Sequence, residues 1–215
     1  IPLNNVKQIE VIEGPLSTIY GNNAAGGVIN IITNQSQIRR WTLNAGTQLE
    51  SIGSQNYLLD LGYKRNRWYL ATHGRYYNYS KYSVDSLRVT EKITASDGTF
   101  STRSKYPWNP KVQQGIGGIA KYNLNSENSL ALKYDFNEEE ISDYGAIKRP
   151  QFKPYAQDDF YNTIRQDIAL TYDGHLFKNL YVELTSAYNL FNRRIDNRRF
   201  LFEENQFDSL NRISD

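Results

Sequence analysis

The 215 residues contain no cysteine and no methionine. Without thiols the chain can build no disulfide framework, no thiolate zinc site and no cysteine nucleophile. Long apolar runs are also missing. No stretch approaches the ~18 residues that a membrane-spanning helix needs, and the mean hydropathy is −0.66, so a helical membrane protein is excluded. Charge of one sign is lacking as well: 25 basic against 23 acidic side chains leave +2, with no basic block to argue for nucleic acid. The only histidines, His73 and His175, lie far apart and without metal-ligand spacing. No G-x-S-x-G or phosphate-loop pattern occurs, and Ser17 sits in Pro-Leu-Ser-Thr, which is no nucleophile elbow. No catalytic residue, metal site or cofactor is therefore expected. The chain opens on Ile1 with no charged and apolar leader pattern, so no signal peptide is in view. What these absences leave open is a membrane β-barrel, where only alternate residues face lipid and average hydropathy stays low.

What is present fits that class. Aromatics reach 13%, led by 17 tyrosines, a residue suited to surfaces that are dry on one side and wet on the other. Helical periodicity is nearly absent, and period-two alternation recurs. Tyr57, Leu59, Leu61 and Tyr63 share one face of a segment, with Leu58, Asp60, Gly62 and Lys64 opposite. Leu130, Leu132, Tyr134 and Phe136 alternate with Ala131, Lys133, Asp135 and Asn137, and Ile168, Leu170 and Tyr172 with Asp167, Ala169 and Thr171. The pattern predicts about seven strands after residue 39, each roughly nine to thirteen residues, closer to tilted membrane strands than to the strands of soluble domains. Predicted lipid-facing positions are Leu59, Leu61, Leu132, Tyr134, Leu170 and Leu184, while Lys133 and Asp135 face the lumen. Connections at Arg65-Asn66, Asn125–Asn128 and Asp173–Asn179 are short. Those from Ser80 to about Val112 and from Glu139 to about Tyr161 are long, as expected where short periplasmic turns alternate with external loops. On this reading the first strand runs outward.

Four features invite a chemical reading. Gly115-Ile-Gly-Gly-Ile-Ala120 matches the permissive dinucleotide pattern, but a strand follows where the cofactor needs a helix. Small residues approached closely by a neighbour are the better account. Asp135, Glu138, Glu139, Glu140 and Asp143 are a weak calcium candidate and read mainly as a solvated loop. Arg193 through Arg199 reads as polar loop and strand wall. The stretch Tyr76-Tyr77-Asn-Tyr79-Ser-Lys-Tyr82 forms either an interface girdle or, together with Trp108, a stacking surface for an external ligand.

The first 33 residues differ from the rest. Val6–Ile12 reads as a strand, Gly14-Pro15 breaks it, Gly21–Gly27 is a loop of small residues, and Val28–Thr33 is a nearly all-apolar strand of the kind covered on both faces. The pattern Glu10, Gly14, Pro15, Ser17, Tyr20, Gly21, Ala24, Gly26, Gly27, Asn30, Thr33 closely resembles the end of the plug domain of TonB-dependent outer-membrane receptors. Glu13 departs from it, since many members carry Arg there. The resemblance implies an all-β membrane protein. Residues 1–34 would be the C-terminal part of an α+β plug, and 39–215 part of a transmembrane antiparallel β-barrel. This length would supply about the first seven of 22 strands, so an internal fragment is expected. It further implies an outer-membrane location in a Gram-negative bacterium, with several strands crossing. The expected function is uptake of a scarce nutrient such as a ferric siderophore, haem, cobalamin or a glycan, driven through TonB and without covalent chemistry. The partners implied are outer-membrane lipid, the TonB complex, a small nutrient ligand and the remainder of the barrel, with no nucleic acid. A second expectation is a barrel acting mainly as a surface-binding or complex-forming component.

Overall fold

The structure, a computed structural model, describes residues 6–13, 27–33, 40–79, 89–94, 98, 100–105, 108–148, 153–177, 179–202, 204 and 206–214. The chain forms two units, Ile1–Arg39 and Arg40–Asp215. In the first, β1 (Val6–Glu13) pairs antiparallel with β2 (Gly27–Thr33), with Glu10 opposite Asn30 and Glu13 opposite Gly27. Both strands were expected. The expected double-sided cover is not seen among the described residues: Val11 and its cross-strand neighbour Ile29 are both exposed, because a two-stranded ladder cannot cover its own faces. Gly14, Pro15, Ser17, Tyr20, Gly21, Ala24 and Gly26 lie outside the described residues.

The second unit is an antiparallel sheet of eight strands. They are β3 (Trp41–Leu49), β4 (Ser54–Arg65), β5 (Trp68–Tyr79), β8 (Lys111–Asn123), β9 (Ser129–Lys148), β10 (Tyr155–Phe177), β11 (Leu180–Leu201) and β12 (Gln206–Ser214), each beside the next. Between β5 and β8 the chain makes a separate hairpin, β6 (Val89–Thr94) with β7 (Phe100–Lys105). Local chemistry fixes several turns. Asn66 takes a left-handed φ of 53° in the Asn66-Arg67 turn, a conformation asparagine tolerates. The Asn125 side chain caps its turn, with Oδ1 accepting from the amides of Glu127 at 2.9 Å and Asn128 at 2.7 Å.

Three expectations need correcting. The sheet holds eight strands, not about seven, because β12 has too few apolar residues to betray its alternation. The segment Ser80–Val112 is not all loop, since it carries the β6–β7 hairpin. Glu139–Tyr161 is mostly strand: β9, β10 and β11 run for 20, 23 and 22 residues, leaving only 149–154 between β9 and β10. Their upper halves are polar on both faces, so alternation of hydropathy fails there although the backbone ladder continues.

The two faces of the sheet differ sharply. Leu43, Leu61, Thr72, Gly118, Tyr134, Ile168 and Tyr188 lie side by side across the register. One residue along on each strand, Asn44, Asp60, His73, Gly117, Asp135, Asp167 and Asn189 make the matching row on the other face. All six predicted lipid-facing residues fall on the first face and are exposed, which is stable against hydrocarbon and not against water. Aromatic pairs frame this apolar band. Trp41 meets Tyr63 at 4.4 Å and Trp68 meets Tyr122 at 4.7 Å toward the short-turn rim. Tyr57 and Tyr76 meet at 6.3 Å toward the other. Such girdles mark the two lipid–water boundaries of a membrane barrel.

Candidate ligand-facing wall of the barrel

The polar face is built by the same alternation that builds the apolar one. In its middle, the Gly115–Ala120 segment is β8, with no helix to hold a dinucleotide. Its glycines are roofed by neighbouring strands: a Cβ on Gly117 would collide with Asp135 and His73, and one on Gly118 would come within 2.8 Å of the Ala71 carbonyl. Lys133 Nζ reaches Asp135 Oδ2 at 3.1 Å. Close approach by neighbours thus accounts for the glycine pattern.

Beside and above the Tyr57–Tyr76 girdle the polar face becomes a wall of cations, amides and rings. Arg75 donates from Nε to Asn56 Oδ1 at 3.2 Å, and its guanidinium lies 5.8 Å from the Tyr77 ring centre. Lys111 Nζ is 2.7 Å from Glu139 Oε2, and the Gln113 amide donates to the same oxygen. Arg193 Nε donates to Thr163 Oγ1 at 3.0 Å. Higher still, the Tyr155 ring sits near Lys148 (5.7 Å) and Arg199 (4.8 Å). Partial burial opposes ionisation of Glu139, but hydrogen bonds from Lys111 and Gln113 and the charges of Lys111 and Arg193 more than offset it. The carboxyl is held below its usual range. Burial, helped by Asp159 and Asp143, pushes the Tyr161 phenol up, so it remains a neutral donor.

The tyrosine-rich stretch divides between the two roles considered for it. Tyr76 faces the lipid side with Tyr57, so of the candidate ligand contacts it is the one that belongs to the girdle. Tyr77 faces the polar wall. Tyr79 is buried edge-on against Trp108 at 6.3 Å, and Tyr82 lies outside the described residues. The acidic run also divides: Asp135, Glu139 and Asp143 point to the polar face and Glu138 and Glu140 to the other. Among the described residues no group of acidic or histidine side chains converges as a metal site. Strand alternation separates what looks clustered in sequence. The wall residues Arg75, Lys111 and Tyr155 were not singled out from sequence, and Arg199 was read only within a run of polar loop and strand wall. Their signal was parity with Tyr77, counted across strands whose register the sequence does not state.

Residues 1–28 match the TonB-dependent receptor plug domain. Longer stretches of this chain match individual receptors and outer-membrane proteins. It is similar to the ferrienterobactin receptor of Escherichia coli, 24% identical over 186 residues that cover 81% of this chain and 24% of that protein. It is 49% identical over 55 residues to the iron-regulated outer membrane virulence protein of Vibrio cholerae, covering 26% of this chain and 8% of the other. It is 58% identical over 36 residues to the ferric enterobactin receptor of Pseudomonas aeruginosa, 17% of this chain and 5% of that one. The chain thus spans a quarter or less of the length of these relatives. The fold is that of a partial β-barrel wall, preceded in sequence by a segment that matches the end of a plug.

Proposed function

We propose that this chain is part of a receptor that binds a ferric siderophore at its external mouth and imports it to the periplasm with energy passed through TonB. One observation carries the reading: beside and directly above the outer girdle, the polar face offers Arg75, Lys111 and Arg193 interleaved with Tyr77 and Tyr161. Ferric complexes of catecholate siderophores are anionic and aromatic, and cations beside ring faces suit both properties. The relatives named as ferric enterobactin receptors support the same ligand class. Within the reading, residues 1–34 are the plug end and 39–215 the barrel. Glu10, Gly27, Asn30 and Thr33 hold the plug ladder, and Tyr77, Tyr79 and Trp108 join the ligand-facing side. Lipid, the TonB complex and the remaining barrel strands are the partners, and the reading assigns no covalent chemistry to the chain. The test is growth and uptake of a deletion strain under iron limitation, supplied in turn with radio-iron ferric enterobactin, haem, cobalamin or a glycan. Loss of ferric enterobactin uptake alone is the expected result. Loss confined to haem, cobalamin or glycan would overturn the siderophore assignment.

A further inference from the structure

Asp158 is the one large side chain among the described residues that is fully buried, and the uptake reading does not use it. Its burial has a local cause. The β9–β10 register shifts between Ala156 and Asp158, so Gly145 and Ala146 together oppose Gln157, a bulge. A Cβ at Gly145 would collide with the Gln157 carbonyl, so the bulge needs glycine there. It frees the Gly145 amide to donate to Asp158 Oδ1 at 3.1 Å. The same oxygen takes the Arg103 guanidinium, which comes from β7 in the separate hairpin. Arg103 in turn lies 5.7 Å from the Tyr144 ring and 5.8 Å from the Phe202 ring. Beside this pair the hairpin's Ile93 packs with Ala156 and Phe202, flanked by Ile147 and Phe200.

The face on which this happens matters. Tyr144, Asp158 and Arg198 form one row of the register, and Ile147, Ala156 and Phe200 another. The β10–β11 ladder has no irregularity between Tyr155 and His175, so these rows lie on the same side as Leu170 and Ile168 below. The hairpin is therefore seated on the outer wall of the external rim, not across the polar face.

We propose that Arg103 and Asp158 are a clasp that holds the β6–β7 hairpin on the outer wall and so keeps the polar wall open to an arriving ligand. They are positioning residues for capture and touch no ligand themselves. A buried carboxylate that loses its cation is strongly disfavoured, so removing either partner releases the hairpin, which is then free to fall across the mouth. This consequence for capture rests on the uptake reading above, whereas the clasp does not.

The experiment uses the full-length receptor with Arg103→Gln, Asp158→Asn and, as the conservative variant, Arg103→Lys. Heat-resistant migration on gels confirms barrel folding in each. Hydrogen exchange should rise at least about tenfold in the β6–β7 amides of the Gln and Asn variants, with β8–β11 unchanged, and return toward wild type in the Lys variant. For radio-iron ferric enterobactin, the half-saturating concentration should rise severalfold in the two neutral variants while the maximal rate holds. Unchanged exchange in β6–β7 overturns the clasp. Raised exchange with unchanged half-saturation overturns its role in capture. If the wild type imports no ferric enterobactin, the siderophore reading fails and the exchange arm still decides the clasp.

Discussion

His73 Nε2 lies 3.1 Å from Asp135 Oδ1, reaching from β5 to β9 across the intervening β8. The bridge exists because the residue between them is Gly117, whose missing side chain leaves the space that both groups occupy. A sequence pattern that resembles a nucleotide loop is, in the folded sheet, a saddle for an interstrand pair.

It follows that Gly117→Val should be poorly tolerated although valine suits a strand. The new side chain must displace His73, Asp135 or both, and forced repacking of this kind costs about 1–3 kcal/mol. Denaturant unfolding of the full-length receptor in detergent measures it. Gly74→Ala is the control, since nothing lies within 4 Å of a Cβ there. Equal stability of the two variants would remove the saddle argument.

The two-faced sheet makes a second claim. Leu132 and Leu170 are adjacent on the apolar face, so Leu170→Arg should lower stability in a bilayer by about 2–4 kcal/mol. Lys133→Gln, one residue from Leu132 on the opposite face, loses only a half-exposed ion pair with Asp135 and should cost far less. Folding titrations into lipid vesicles compare them. A similar penalty at both positions would contradict the assignment of faces.

Acid should loosen the upper wall in a defined direction. The Glu139 carboxyl is held below its usual range by Lys111, Gln113 and Arg193 despite its partial burial. A depressed folded pKa contributes stability that is present above the unfolded carboxylate value of about 4.3 and is lost as pH falls through the folded value. Hydrogen exchange of the amides at 111–113 and 139–141 should therefore increase below about pH 4 in the wild type. In Glu139→Gln that acid-dependent increment should be missing, and its persistence would place the titrating group elsewhere.

The lower half of the barrel wall was legible because it is written in one letter per face. Leu59, Leu61, Leu132, Tyr134, Leu170 and Leu184 announce their side by hydrophobicity alone, and tight turns with Asn66 or Asn125 punctuate them. The upper half was not. From Glu139 to Tyr161, and again from Arg193 to Leu201, polar residues stand on both faces, so alternation in hydropathy vanishes while the ladder runs on. Parity is still there, but it can be read only by counting from the lower half through unbroken strands, and the Gly145 bulge breaks the count on β9. Long-range pairs such as Arg103 with Asp158 leave no trace at all in local sequence. The same limit hid the grouping of Arg75 and Lys111 with Arg193, because the three lie on three strands.

Parity also supplies the sharpest test of the candidate site, because Tyr76 and Tyr77 are neighbours in sequence and opposites in space. Tyr77 stands on the polar wall against Arg75, and Tyr76 stands on the lipid side against Tyr57. Tyr77→Ala and Arg193→Gln each remove one group from the wall without touching the girdle. Losing a ring contact or a charge-assisted bond is worth about 1–2 kcal/mol, so each should raise the dissociation constant for ferric enterobactin roughly tenfold. Tyr76→Ala should leave that constant unchanged and instead weaken insertion at the outer boundary. Fluorescence-quenching titrations of the full-length receptor give the first quantity, and vesicle folding yields the second. If Tyr76→Ala were the variant that lost affinity, the ligand would sit on the other face of β5 and the proposed wall would be wrong.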